Sequence, residues 1–440
     1  MATNGTTVTM STFDALLKNV YIDKKNLYVM DAFQNKALTA IPKATDATGR
    51  NWNVSVVDSS VVGTAGTYAT ARSNASAGND IVFQGIWKDK FAALFLDEKT
   101  IRMSISKEGA VDQALTQKID SVRRTFNQST EYQLFRDEGG SVARILTGST
   151  SGNTTVLTFT TNTQIPVSQY LKIGHVLNFT PNSNGSSLRA TGGTPYSFTI
   201  TAMSDANTFS VTATGSAGAW GQLQANDYVV IGGDGLDAGS ATTATNVPLA
   251  GFASWVPTTA PATTDSFKGV NRSQDPRGLA GVRIDATNLK TEEAFYDGAD
   301  VTARFGGETD LVLTHPTTLT KLKKELAGQA RYERFAGRPG VKMSKAEAAS
   351  FGFNGLALDA NGRSVIVAGA WACQSNLSWL LTSKHWKLWT SGPWPDVRGR
   401  DGLTMLRQTD TSYIYELVGY GELVCYAPGF QGVLIHDNAA

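Results

Sequence analysis

Little in this sequence is equipped for covalent chemistry or metal binding. Cysteine occurs twice in 440 residues, as Cys373 and Cys425, and histidine four times. Two cysteines make no disulfide framework, and two buried thiols in a reducing compartment are expected. His175, His315, His385 and His436 lie far apart, without the short spacings of metal ligands, and are expected at the surface or satisfied in the core. No phosphate-cradling Gly-x-x-x-x-Gly-Lys-Ser/Thr loop is present, nor a Gly-x-Gly-x-x-Gly turn after a strand, nor a Gly-x-Ser-x-Gly elbow. Asp234 and Asp237 sit in a glycine-rich loop but lack the alternating oxygens and the bidentate Glu of a calcium site. Neighbouring carboxylates such as Glu292 and Glu293 carry no feature that would push their pKa values apart. The residues therefore assign no enzyme activity: no catalytic, cofactor-binding or metal-binding residue, and no cofactor.

Charge is also scarce. Charged residues make up 18% of the chain, below the usual quarter, and Lys+Arg 39 against Asp+Glu 38 gives 39 − 38 = +1. That balance argues against a dedicated polyanion-binding surface. Together with abundant Ala, Ser, Thr and Gly, it suits a protein that hides much of its surface against partners. No window approaches the roughly 18 apolar residues of a membrane span. Met1 to Met10 is polar and uncharged, so no signal peptide is expected. Asn-x-Ser/Thr triplets such as Asn53-Val54-Ser55 are frequent, as chance dictates in a Ser/Thr-rich chain.

What is present is a folded protein: 41% hydrophobic residues and 43 glycines over 440 residues predict two or three domains. Its most distinctive stretch runs from about Ser106 to Arg136. Val111, Leu115, Ile119, Val122 and Phe126 recur at spacings of three and four, and Asp112, Gln113, Gln117, Asp120, Arg123 and Arg124 fill the opposite face. Ser106 is placed to cap this helix, Glu108 to favour its dipole, and Gly139-Gly140 to close it. Such a rod, roughly 45 Å long at 1.5 Å per residue, needs something laid along it.

Residues 1–46 read as an extended arm with one helix near Thr12–Asn19. Trp52, Val54 and Val56 alternate with polar residues, as do Ile81, Phe83, Gly85 and Trp87 on the return, which predicts a long hairpin. Two strands alone are marginal in water, so a partner on another chain is expected. Phe91–Leu96 forms an apolar strand leading into the long helix. From Leu146 to about Gly235, Thr, Ser, Asn and Gly dominate and Lys and Arg become rare. Strands are expected at Thr154–Thr160, His175–Phe179, Tyr196–Ala202, Thr208–Ala213 and Asp227–Ile231, forming a small inserted sandwich or barrel. Gly235–Thr245 reads as a linker, and Leu249–Trp255 restarts apolar structure. A helix over Thr287–Phe305, a strand at Asp310–Thr314, a helix opened by Pro316 with Leu319, Leu322 and Leu326 on one face, and a strand at Val365–Ala368 after an Asp359–Gly362 turn indicate an α/β region. Tyr413–Leu417, a Gly419-Tyr420-Gly421 turn and Leu423–Tyr426 read as a C-terminal hairpin. Trp371, Trp379, Trp386, Trp389 and Trp394 read as core or inter-subunit packing before a sugar platform. Lys321, Lys323, Lys324, Arg331, Arg334, Arg338 and Lys342 read as a solvated basic face, with inter-subunit ion pairs or weak nucleic-acid contact as the sharper readings.

The order of parts carries more information than any motif. It resembles the major capsid protein of tailed bacteriophages, a fold shared by encapsulins. The likeness runs from Gly85-Ile86-Trp87 through Phe91–Leu96, Ile101–Ile105 and Gly109-Ala110-Val111 to Tyr132–Gly140. Leu249–Val256, Asp310–Pro316 and Leu423–Pro428 extend it. The resemblance implies an α+β capsid fold with these parts: an arm (1–46), an extended loop (47–97), a peripheral domain with a spine helix (98–147), an inserted β-rich domain (148–235), the peripheral domain continued (236–305), an axial domain (306–395) and returning C-terminal strands (396–440). It further implies hexamers and pentamers of this chain forming an icosahedral virion shell, assembled in the bacterial cytoplasm around packaged double-stranded DNA. The extended loop would lie on a neighbouring subunit. A portal, a cement protein and a separate scaffolding protein, or no scaffold at all, would go with it, no scaffolding helix being read in this chain, and contact with the enclosed DNA would be weak. Some members crosslink a loop Lys to an Asn; Lys88 and Lys90 lie near the loop base, but no motif carries that chemistry over. Arg123 and Arg124 become candidates for the inner surface or a neighbour contact. The competing readings are an encapsulin-like compartment shell and a carbohydrate-binding enzyme or adhesin with a β-sandwich module.

Overall fold

The computed structural model describes residues 36–45, 49, 51–57, 65–74, 80–97, 111–151, 154–160, 171–181, 188–191, 194–205, 208–213, 223–234, 236–240, 243–246, 248–327, 355–360, 363–397, 406–409 and 412–436. The Thr12–Asn19 helix, the Ser106 cap, the Ile101–Ile105 stretch and the basic residues from Arg331 to Lys342 lie outside them.

The long helix runs Val111–Phe135, 25 residues, or about 37 Å at 1.5 Å per residue. Ile119 and Val122 are half-buried against the core as their spacing requires, but full burial comes later, at Phe126, Leu134 and Phe135. The helix packs on an antiparallel sheet in which Lys88–Asp97 pairs along its whole length with Ser412–Cys425, from Lys88 opposite Gly421 to Asp97 opposite Ser412. Ala92 and Leu94, two apart on the first strand, pack into the core that holds Phe126. Trp386–Thr390 lines the other edge of the long strand, and Lys43–Ala44 adds to it in parallel.

The long strand overturns the expected C-terminal hairpin. The chain runs through Gly419-Tyr420-Gly421 without turning, as one strand of 14 residues. These glycines serve close approach. A Cβ at Gly419 would lie 2.7 Å from the Trp394 ring, and one at Gly421 would lie 2.5 Å from the Trp389 carbonyl oxygen. Trp394 fills that slot and meets Phe126 of the long helix, ring centroids 5.6 Å apart.

The hairpin pairs Asn51–Val57 with Asp80–Ile86 in register. Its base finds its cover within the same chain, contrary to the expectation of a partner elsewhere. Trp52, Val54 and Phe83 are buried, with Phe83 edge-on to Trp255 at 5.3 Å. The apolar alternation that marks the strands is therefore spent on the molecule's own core. Further out, helix Tyr68–Asn74 buries none of its residues.

Residues 143–231 contain a closed six-stranded barrel, ordered Ser197–Asp205, Thr208–Ala213, Thr154–Thr160, Ala143–Ser151, Tyr228–Ile231, Val176–Thr180. Five strands are those expected, within a few residues. The sixth, Ala143–Ser151, begins before the anticipated border at 148, and it closes the barrel by pairing with both Thr154–Thr160 and Tyr228–Ile231. Leu157 and Phe159, Leu177 and Phe179, and Phe198 and Ile200 alternate inward and fill it.

The α/β region is a mixed six-stranded sheet ordered Val282–Ala286, Gly432–His436, Leu377–Leu381, Leu311–Thr314, Arg363–Gly369, Gly355–Ala360. Helices Thr291–Arg304 and Pro316–Ala327 pack on it through Ala294, Phe295, Leu319 and Leu322. Of the tryptophans, Trp379, Trp386 and Trp394 are buried in the main core, which makes them packing residues and not an exposed platform.

Candidate functional site

The barrel and the body have separate apolar cores; among the described residues, Tyr132 of the long helix is the one side chain packed against both. What joins them beside Tyr132 is polar. Asp234 follows the last barrel strand and points at the long helix. Its carboxylate lies 3.1 Å from the Lys90 ammonium, accepts the Ser129 hydroxyl, and accepts Gln133 Nε2 at 3.1 Å. The Asp234 carbonyl oxygen accepts the same amide at 2.8 Å, and Lys90 also donates to Ser129 Oγ at 2.5 Å. Burial alone would raise the Asp234 pKa, but Lys90 and Ser129 outweigh it and hold the carboxyl below its usual range. Burial pulls the Lys90 pKa down, and Asp234 offsets part of that pull. Beside these groups lies a cavity of about 290 Å³ lined by Phe91, Thr125, Gln128, Tyr132, His175 and Gly233, among others.

A second charged cluster sits where the hairpin, the end of the long helix and the long strand converge. Lys268 pairs with Glu138 and lies 3.8 Å from Glu422, which accepts the Ala250 amide at 2.6 Å. Glu422 is fully buried. Burial lifts its pKa, and Lys268 and Lys88 pull it back. Burial also disfavours the Lys268 ammonium, but Glu422 and Glu138 more than compensate and raise its pKa. The Lys88 pKa is lowered, chiefly by burial. Glu131, two residues before Gln133 on the same helix, accepts the Ala37 and Leu38 amides at 2.7 Å each. It thereby caps helix Lys36–Ala40. Burial raises Glu131 to about 7 against these hydrogen bonds.

The structure disperses the other candidates. Lys90, noted near the loop base, belongs to the barrel junction, and Lys88 to the second cluster. Asp234 is committed to Lys90, while Asp237 lies on a small ribbon, Leu236–Ser240 paired with Thr243–Asn246. Arg123 donates to the Tyr415 hydroxyl at 3.0 Å, and so ties the helix to its own sheet. Arg124 is half-buried. Glu292 and Glu293 occupy the first turn of helix Thr291–Arg304, where its dipole favours them. Lys321 and Lys324 are exposed on helix Pro316–Ala327. His315 and His436 are lowered to about 4 by burial; His315 lies edge-on to Trp371 and His436 to Phe295. His175 and His385 are also lowered, chiefly by burial. Cys373 and Cys425 are buried free thiols whose pKa burial pushes up. Among the described residues no group of three or more His, Cys, Asp or Glu could hold a metal ion, and no helix is long and apolar enough to cross a membrane.

Sequence reasoning missed Ser129, Glu131, Gln133, Lys268 and Glu422. The available signal was a polar residue inside an apolar period: Glu131 between Phe126 and Leu134, Glu422 beside Leu423. What these groups do together is fix one element against another.

No protein-family model matches the sequence, and no protein of curated function matches it. Solved structures do. A chain of the cyanophage A-1(L) capsid asymmetric unit is similar over 96% of this chain and 97% of that one, at 10% identity and TM-score 0.51. A chain from the capsid of an empty GTA particle covers 96% and 95% at 9% identity and TM-score 0.43. One from the holo-SrpI encapsulin complex of Synechococcus elongatus PCC 7942 covers 97% and 94% at 8% identity and TM-score 0.39. The fold assignment rests on the first: this chain shares the fold of that capsid chain.

Proposed function

We propose that this protein is the major capsid protein of a tailed phage, building the icosahedral shell from hexamers and pentamers of itself around packaged double-stranded DNA. The observation that carries the proposal is the likeness to a chain of a cyanophage capsid over 96% of this chain and 97% of that one. In this reading Val111–Phe135 is the spine helix and the sheet beneath it the peripheral domain. The mixed sheet with helix Pro316–Ala327 is the axial domain, and the barrel is an inserted module facing outward. The hairpin is the extended loop. Its base is fixed in its own subunit, and its outer helix, with Tyr68 82% exposed, is left for a neighbour. A net charge of +1 suits a wall that contains DNA without gripping it.

The protein acts without catalysis or cofactor, its work being geometry repeated many times. Its location is the virion, after assembly in the bacterial cytoplasm. A separate scaffolding protein, a portal and a cement protein are its further partners. Electron microscopy of the purified protein tests the proposal: capsomers or closed shells are expected, and a soluble monomer with glycan affinity would sink it. Nucleic acid inside the shells separates a virus from a protein-filled compartment.

A further inference from the structure

We propose that the Lys90–Asp234–Ser129–Gln133 cluster is a release latch that seats the barrel on the long helix, and that the barrel swings as a unit when the latch opens. Four observations carry this inference. The barrel closes on itself, and every fully buried residue of its core lies within it. Against the body it presents a cavity of about 290 Å³ where an ordinary domain interface would be filled. Both connections to it carry glycines in left-handed backbone, Gly140 at φ +63° and Gly233 at φ +81°. The fastening itself is an ion pair between the buried Lys90 ammonium and the half-buried Asp234 carboxylate. Such a pair fixes one arrangement without adding much net stability, because taking its charges out of water costs about as much as their attraction returns.

The cluster is built to open as a whole. Ser129 and Gln133 sit one turn apart on the helix, so both reach a single Asp234. Lys90 comes from the strand on which the helix rests, and its ammonium also lies 5.7 Å from the Phe126 ring centroid. If Asp234 leaves, Lys90, Ser129 and Gln133 lose their shared partner together, and the adjoining cavity lets water replace it. The intermediate between those states, one partner gone and the others dry, is unfavourable. Two seated states and little between them is what a latch requires. Only one residue, Trp87, separates the hairpin strand Asp80–Ile86 from the latch strand Lys88–Asp97. A pull on the hairpin is thus transmitted to Lys90. The inference stands whether or not the chain builds a shell.

Amide hydrogen exchange on the full-length chain tests it, read by mass spectrometry segment by segment. In the wild-type protein at low denaturant, residues 126–142 and 232–248 should open together and before the barrel strands. Asp234→Asn, which leaves Lys90 buried without its counter-charge, should raise the exchange of those two segments about a hundredfold, with barrel strands Thr154–Thr160 and Thr208–Ala213 still protected. Lys90→Arg, which keeps the charge, should restore most of the protection that Lys90→Met removes. Barrel strands that exchange in step with the two connections, in wild type or variants, would overturn the inference, since barrel and body would then be one cooperative unit. Unchanged exchange in Asp234→Asn would overturn it equally, since the seat would not depend on the latch.

Discussion

Glu131 is a carboxylic acid closed off from water. Burial raises its pKa to about 7, so the folded protein holds a proton there that the unfolded chain releases near 4.5. Stability from this group is full below about pH 4.5 and is lost as pH rises through about 7; linkage gives a loss of about 1.3 kcal/mol between pH 6 and 8. His315 and His436 work in the opposite sense. Their folded pKa of about 4 lies below the ordinary 6.5, so their contribution is full above pH 6.5 and is lost as pH falls toward 4. Between pH 6 and 8 the two histidines gain roughly what Glu131 loses. Glu131→Gln should therefore steepen the rise of stability with pH over that interval by about 1.3 kcal/mol relative to wild type, measured by denaturant unfolding. An unchanged slope would mean that Glu131 is ionised throughout, as a helix cap alone would have it.

Among the elements, the long strand and the hairpin each do something their sequences conceal. Gly419 is required by the Trp394 ring, not by a turn. Gly419→Val should cost about 3 kcal/mol, because a Cβ there meets the rings of both Trp394 and Phe126 within 3 Å. A true turn glycine would show no such dependence on Trp394, so Trp394→Ala in the same chain should recover part of the loss. The hairpin divides at its middle: Trp52, Val54 and Phe83 belong to the core, whereas helix Tyr68–Asn74 contributes nothing to it. Replacing residues 65–74 by a glycine-serine link should leave the melting temperature within a few degrees of wild type while abolishing shells in the electron microscope. Normal shells from that variant would remove the hairpin from the set of subunit contacts.

For the molecule as a whole, the barrel is the separable part. Chain entry and exit lie side by side, the Val142 amide donating to the Val229 carbonyl at 2.8 Å. Excising residues 148–235, the border read from composition, would strand half of Ala143–Ser151 and remove Asp234 from Lys90. Excising 142–231 and bridging with a few glycines keeps the latch and should yield a soluble subunit with a cooperative unfolding transition. Loss of all soluble protein from that variant would make the barrel part of the folding unit. The excised barrel tests the same point from the other side, since every fully buried residue of its core lies within it.

Periodicity located the long helix, and short runs bounded by turn residues and proline located five barrel strands and the alternation of strand and helix around Pro316, because these signals are local properties of backbone geometry. The same local rules predicted the hairpin strands but could not say what covered them, since nothing near Trp52 in sequence specifies Trp255. Composition placed the barrel but not its first strand, because Ala143–Ser151 becomes a barrel strand only through pairing with Tyr228–Ile231 far along the chain. Tertiary structure alone decided that Gly419 and Gly421 lie inside a strand, that Lys90 meets Asp234, and that Glu131 is buried. Each depends on a partner tens or hundreds of residues away, and close approach, desolvation and charge pairing act through space, where sequence distance carries no information.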